Sequence, residues 1–181
     1  MLARQPSRKP VPRIWLMTDP RLDDRLLAAI RKLPQGSGVV FRHYGLPADQ
    51  RRLLFAKVRH VCRQRGHRLL LADDAAIARR WGADGVHRRG RSQGAALHSA
   101  PVHDVREIGE ALRTGATLLF LSPLRATRSH PGQRPLGPTR FAMLARLCRP
   151  AKVIALGGMN RAHVGKWSRS IVHGWAAIDA F

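Results

Sequence analysis

Cysteine is scarce in this 181-residue chain: there are two, Cys62 and Cys148. They fall on separate predicted helices without metal-type or redox spacing, which leaves buried thiols as their role. Long apolar runs are also missing. No stretch approaches the roughly 20 residues that a membrane span requires. The basic, proline-containing segment 1–13 is followed by no apolar signal core. The expectation is a loose basic tail over residues 1–13, one domain over residues 14–181, no membrane contact, and a cytoplasmic location.

Acidic residues are few as well, 11 against 33 lysines and arginines, for a net charge of +22. A field of that sign attracts nucleic acid, acidic membrane surfaces or phosphorylated metabolites. The basic residues are scattered over every predicted helix and most loops, with no polybasic block. There is no basic–aromatic stacking platform and no DNA-reading motif, which argues against nucleic acid. Only five of the 33 are lysine. Abundant arginine together with abundant alanine is also the bias of a GC-rich genome. That bias accounts for the charge first, attraction of an anionic small molecule stands ahead of nucleic acid as a functional reading, and oligomeric state is left open.

What the chain does contain is a rhythm. Short β-rich runs alternate with helix-like stretches almost to the end. Strands are predicted to begin at Ile14, Val39, Arg68, Gly85, Ala95, Thr117, Val153 and Ile171. Helices are predicted over 23–33 with a cap at Asp23 or Asp24, and over 48–65, 74–81, 105–113, 138–148 and 161–168. Alternating strand–helix units imply a parallel sheet covered by helices. Eight of them predict a compact (β/α)₈ barrel, short beside the roughly 250 residues usual for that fold. The segment 88–94 is too short and polar for a full helix, and little chain follows the last strand. One or two helices are therefore expected to be short or missing.

Motifs at the predicted strand ends are more specific. They are Leu16-Met17-Thr18-Asp19, Leu70-Leu71-Ala72-Asp73 and Ala83-Asp84-Gly85-Val86-His87, then Leu97-His98-Ser99. After these come Ser122-Pro123, Thr127-Arg128-Ser129-His130-Pro131-Gly132 and Ala155-Leu156-Gly157-Gly158-Met159. In this order the set resembles the thiamine phosphate synthase/TenI family over residues 14 to 179. The resemblance implies a protein of thiamine biosynthesis that binds a thiazole phosphate at the barrel's C-terminal rim. The synthase branch joins that ligand to a pyrimidine pyrophosphate and expels pyrophosphate, with magnesium. The TenI branch instead isomerises a thiazole phosphate tautomer by proton transfer, without metal.

Carried onto this chain, the resemblance places substrate binding at Gly157, Gly158, Gly174, Ser122, Thr127 and Ser129. Glycines after a strand let backbone N–H groups approach a phosphate. Gly174 is expected late in the last strand. The pyrophosphate half departs from the family. Its Gln-x-Arg-x-Lys pattern falls on Val40, Arg42 and Tyr44, so only Arg42 is kept. The third strand's Asn-Asp becomes Ala72-Asp73. The stretch Arg88-Arg89-Gly90-Arg91-Ser92 carries no acid where a magnesium-binding aspartate is expected. The fifth strand's serine falls on Ala96, and the rim lysine on His130.

Magnesium prefers one or two carboxylates plus phosphate oxygens and water. Asp73 alone would hold it only weakly, so the metal implied by the family is in doubt. Arginine binds phosphate bidentately, which makes Arg42, Arg88, Arg89 and Arg91 electrostatic substitutes. Arg42 and His130 are the expected catalytic residues. His87 and His98 are read as structural. The histidine that the tautomerase branch carries beside Ser122 or Pro123 is absent. A transferase with an altered pyrophosphate site, a metal-free isomerase and a non-catalytic phosphate-binding barrel all remain open from the sequence.

Overall fold

Apolar runs of about four residues become strands here because both their faces are covered, as in parallel sheets generally. The computed structural model describes residues 10–92, 94–126, 134–160, 163, 170–179 and 181. The strands are β1 Ile14–Met17, β2 Gly38–Phe41, β3 Arg68–Leu71, β4 Gly85–His87, β5 His98–Val102, β6 Leu118–Leu121, β7 Lys152–Ala155 and β8 Gly174–Ala177. All are parallel, each pairs with the next, and β8 returns to β1 with Ile14 opposite Trp175. The sheet is a closed barrel, as the strand count predicts.

Among the described residues five α-helices surround it: α1 Leu26–Lys32, α2 Ala48–Gln64, α3 Ala75–Trp81, α4 Val105–Arg113 and α5 Gly137–Leu147. None is long and apolar enough to cross a membrane. Asp74 caps α3 by accepting the Ala76 N–H, and Gly82 ends that helix at φ 75. Asp104 caps α4 in the same way through Glu107.

The two-residue period of each strand sorts its side chains. Leu16, Val39, Phe41, Leu69 and Leu71 pack outward under α1 to α3. Leu119, Leu121, Val153, Ala155 and Trp175 pack outward on the other half. Trp15, Met17, Val40, Leu70, Leu118, Phe120, Ile154 and Ala176 fill the interior. Trp15 is fully buried, meets Phe120 edge-on at 5.6 Å, and donates its indole N–H to the Pro12 carbonyl. It fits because position 38 is glycine: a Cβ there would lie 2.2 Å from the indole ring.

Several local expectations are corrected. The fifth strand runs over His98–Val102, not 95–99. Pro101 speaks against a strand because it has no N–H to donate. Its backbone shares the parity of Ser99, which bonds toward β4, and β4 has already ended at that height. The missing donor therefore leaves no partner unsatisfied. The first helix is preceded by a 3₁₀ turn over Pro20–Arg25, capped by Asp19 rather than by Asp23 or Asp24. Residues 11–13, expected within a loose tail, are packed on the barrel floor. The Val11 carbonyl accepts from His173, and the Arg13 carbonyl accepts the Trp175 N–H at 2.8 Å. Among the described residues between β4 and β5 there is no helix. The helix predicted over 161–168 lies, apart from residue 163, outside the described residues.

Candidate active site at the barrel rim

The same two-residue period that fills the barrel also lines its mouth. Continuing the inward rows beyond the last apolar residue leads from Val40 to Arg42, from Leu70 to Ala72 and from Gly85 to His87. It also leads from Ser99 to Pro101, from Phe120 to Ser122 and from Ile154 to Leu156. All six destinations line one cavity of about 580 Å³ at the C-terminal ends of the strands. Met17, Tyr44, Asp73, Asp74, Arg88, Arg89 and His103 complete its wall. This is the end where barrels of this class carry chemistry. A recess of about 700 Å³ lies at the opposite end, bordered by Arg146, Arg149 and Lys152. Arg146 and Arg149 sit at the C-terminal end of α5, where cations balance the helix dipole.

Arg42 reaches this mouth in a fixed pose. Its Nε donates to the Thr18 carbonyl at 2.7 Å and its Nη2 to Asp19 at 3.1 Å, while Thr18 Oγ1 accepts its backbone N–H. Burial pushes the Arg42 pKa down and Asp19 pushes it back, so the guanidinium stays charged. The bonded Arg21 side chain holds the Asp19 carboxyl below the usual range, against burial, with Arg42 adding to the effect. His43, which sequence reasoning missed, sits beneath at φ 42, stacked on Phe41 and in contact with Thr18 Oγ1 at 3.0 Å.

Asp73 is placed at the rim as expected, but it is already paired. Its partner is Arg51, a buried residue of α2 that pure composition hid among the other arginines. The Arg51 guanidinium lies 5.9, 5.7 and 5.6 Å from the ring centroids of Phe41, Tyr44 and Trp81. It also donates to the carbonyls of Arg42 and Ala72, at 3.0 and 3.1 Å. Asp74 is bound to the start of α3 and to Arg88 at 2.9 Å. Among the described residues no group of three potential metal ligands converges. A divalent cation would have to take carboxylates that buried or bonded arginines hold, so this donor set does not fit one.

His87 is held by Ser99, whose hydroxyl donates to the Val86 carbonyl at 3.0 Å. That hydroxyl therefore accepts from His87 Nδ1–H, 2.9 Å away, which leaves Nε2 unprotonated. Burial pushes the His87 pKa down to about 3, with Arg42 and His98 adding to it. The ring is neutral at physiological pH. His98, also lowered chiefly by burial, donates from Nε2 to the Arg88 carbonyl at 3.1 Å and fixes the loop that carries Arg88 and Arg89. Ser99 itself lies inside β5, one layer below the rim where it was expected.

Ser122 ends the inward row of β6 and faces the cavity. Gly157 and Gly158 follow β7 at φ 98 and 60. Among the described residues their N–H groups meet no acceptor. Their glycine identity has a packing cause too: a Cβ on Gly157 would lie 2.8 Å from Pro123 Cα, and one on Gly158 2.9 Å from the Ala126 carbonyl. A valine at 158 would thus disturb the 122–126 loop as well as block a ligand. Gly174 is corrected. It is the first residue of β8, at the floor, and a Cβ there would strike the Arg13 carbonyl at 2.0 Å. Backbone approach, not a ligand, accounts for it. Thr127, Ser129 and His130 lie outside the described residues.

The family model described as thiamine monophosphate synthase matches residues 14–181. A thiamine-phosphate synthase of Bordetella avium is 31% identical over 168 residues, covering 81% of this chain and 76% of that protein. The Chromobacterium violaceum thiamine-phosphate synthase is 27% identical, covering 84% and 80%. The solved thiamine phosphate pyrophosphorylase of Pyrococcus furiosus superposes with a TM-score of 0.75 at 21% identity, over 93% of this chain and 86% of that one. A 2-keto-3-deoxy-6-phosphogluconate aldolase of Zymomonas mobilis, at TM-score 0.63 and 12% identity, shares the fold alone. The chain belongs to the thiamine monophosphate synthase family and is a TenI-like (β/α)₈ barrel of thiamine biosynthesis.

Proposed function

We propose that the chain is a thiamine-phosphate-synthase-like transferase, which joins a thiazole phosphate to a pyrimidine pyrophosphate and expels pyrophosphate. The observation that carries this reading is the rim cavity itself. One wall offers Ser122 and Leu156, and just beyond Leu156 the N–H groups of Gly157 and Gly158 meet no acceptor among the described residues, an arrangement that suits a monophosphate. The other wall offers Arg42, Arg88 and Arg89, which suit a more highly charged diphosphate. A site with two anion-binding walls matches a reaction with two phosphorylated substrates.

The isomerase reading is less well supported. Proton transfer needs a group that titrates near neutrality. His103 of the cavity wall is bonded to Glu107, and His87 is buried to a pKa of about 3. Its role is that of a fixed acceptor, through Nε2, for a donor on the bound substrate. His130, Thr127 and Ser129, outside the described residues, remain part of the proposal on the family resemblance alone. A cytoplasmic location fits substrates of this kind.

Expression in a bacterium lacking thiamine phosphate synthase tests the proposal. Growth without thiamine is expected from the natural chain. Growth is expected to fail with Arg42→Ala, whose loss removes a fixed cation from the mouth. No growth from the natural chain, despite soluble expression, would count against the transferase.

A further inference from the structure

We propose that the diphosphate wall of this rim is built from guanidinium groups and binds a diphosphate ester without a divalent cation. The inference rests on the transferase reading for the identity of the ligand. Its chemistry rests on the ion pairs around the mouth.

Each carboxylate there already has a cation from the protein. Asp19 is bonded to Arg21 and Arg42, Asp73 to Arg51, Asp74 to Arg88, and Glu107 to Arg89. Five guanidinium groups thus meet these four carboxylates, and Asp179 acts on Arg21 as well. Magnesium requires near-octahedral oxygen ligation with one or two carboxylates. Freeing Asp73 for it would strand the Arg51 charge inside its aromatic cage. Freeing Asp74 would compete with the cap of α3.

The three arginines that line the cavity are anchored but not exhausted. Arg42 spends Nε and Nη2 on Thr18 and Asp19, leaving Nη1. Arg88 spends Nε and Nη1 on the Arg89 carbonyl and Asp74, leaving Nη2. Arg89 spends Nη2 on Glu107, leaving Nε and Nη1. A guanidinium held by part of its donor fork has already lost most of its rotamer freedom, so less is lost when a ligand takes the rest. Phosphate oxygens are the acceptors that match such forks. A diphosphate supplies enough of them to reach several arginines at once. Fixed cations aimed at a departing diphosphate also need no reorganisation as its charge develops.

Isothermal titration of the full chain with inorganic pyrophosphate, first in EDTA and then with excess magnesium, tests this directly. Binding is expected in EDTA, with no gain from magnesium. Arg88→Ala and Arg89→Ala should each weaken it by about tenfold or more, the usual loss for a charge-assisted hydrogen bond. Arg63→Ala, remote on α2, should leave it unchanged, which separates the site from general attraction to a basic protein. Circular dichroism checks that each variant is folded. Binding that appears only with magnesium and disappears in Asp73→Asn would overturn the proposal, as would EDTA-stable binding indifferent to Arg88 and Arg89. The two readings fail separately: complementation decides the transferase, and the EDTA titration decides the guanidinium wall.

Discussion

Replacing Asp73 by alanine should destabilise the fold rather than merely weaken a metal site. Arg51 has about a tenth of its side chain exposed and Asp73 a quarter, so the pair is largely desolvated. Removing one member of a buried pair typically costs about 3–5 kcal/mol, because the other charge is left uncompensated. Arg51 keeps its bonds to the Arg42 and Ala72 carbonyls and its contacts with three aromatic rings, which lowers the figure. The Asp74 N–H loses its acceptor, Asp73 Oδ1, and that raises it slightly. A net loss of about 2–4 kcal/mol is a reasonable working value. For a chain of this size that corresponds to a melting temperature lower by about 5–15 °C. Calorimetry in EDTA, with Asp73→Asn beside Asp73→Ala, reads it out. An Asp73→Ala protein as stable as the natural chain would refute the structural role assigned to this carboxylate, and with it the argument that Arg51 has displaced a cation.

Two further outcomes follow from burial and packing. The folded pKa of His87 lies near 3, below the unfolded value of 6.5. The unfolded state therefore binds the extra proton between those values, and stability should fall as pH drops from about 6.5 toward 3 and be flat above. His43, His67, His98 and His173 are shifted the same way by burial and steepen the slope. Urea midpoints between pH 5 and 8 should show it, and a slope unchanged in His87→Gln would contradict the assignment. Gly38→Ala places a Cβ against the Trp15 ring and should cost about 1–3 kcal/mol by overpacking. Trp15→Leu in the same chain should recover part of that loss, and a strictly additive double variant would show that the two residues do not compete for space.

How far the sequence carried these conclusions depends on the residue. Strand order and barrel closure were readable because apolar runs recurred between turn residues. The lining of the mouth was readable in principle as well, since Arg42, His87 and Ser122 continue the inward parity of their strands. The fifth strand was misplaced because Ala95–Leu97 look apolar while Pro101 looks like a breaker, and only the early end of β4 makes that proline harmless. The resemblance places Gly174 among the ligand contacts because a late glycine fits the family pattern; the strand start three residues later than expected moves it to the floor. Arg51 carried a signal that composition masked. With Phe55, Val58 and Cys62 it falls at helical spacing on the buried face of α2, where a charge must have a partner. That partner is Asp73, and no local pattern announces a pair 22 residues apart.

The proposed reaction is a condensation at this rim, and direct product analysis tests it best. Purified chain, thiazole phosphate and pyrimidine pyrophosphate are incubated in EDTA and, separately, with magnesium. Thiamine phosphate is then separated by chromatography and pyrophosphate released is measured. Both products are expected in equal amounts, already in EDTA. Neither product under either condition, from a protein that binds both substrates, would contradict it.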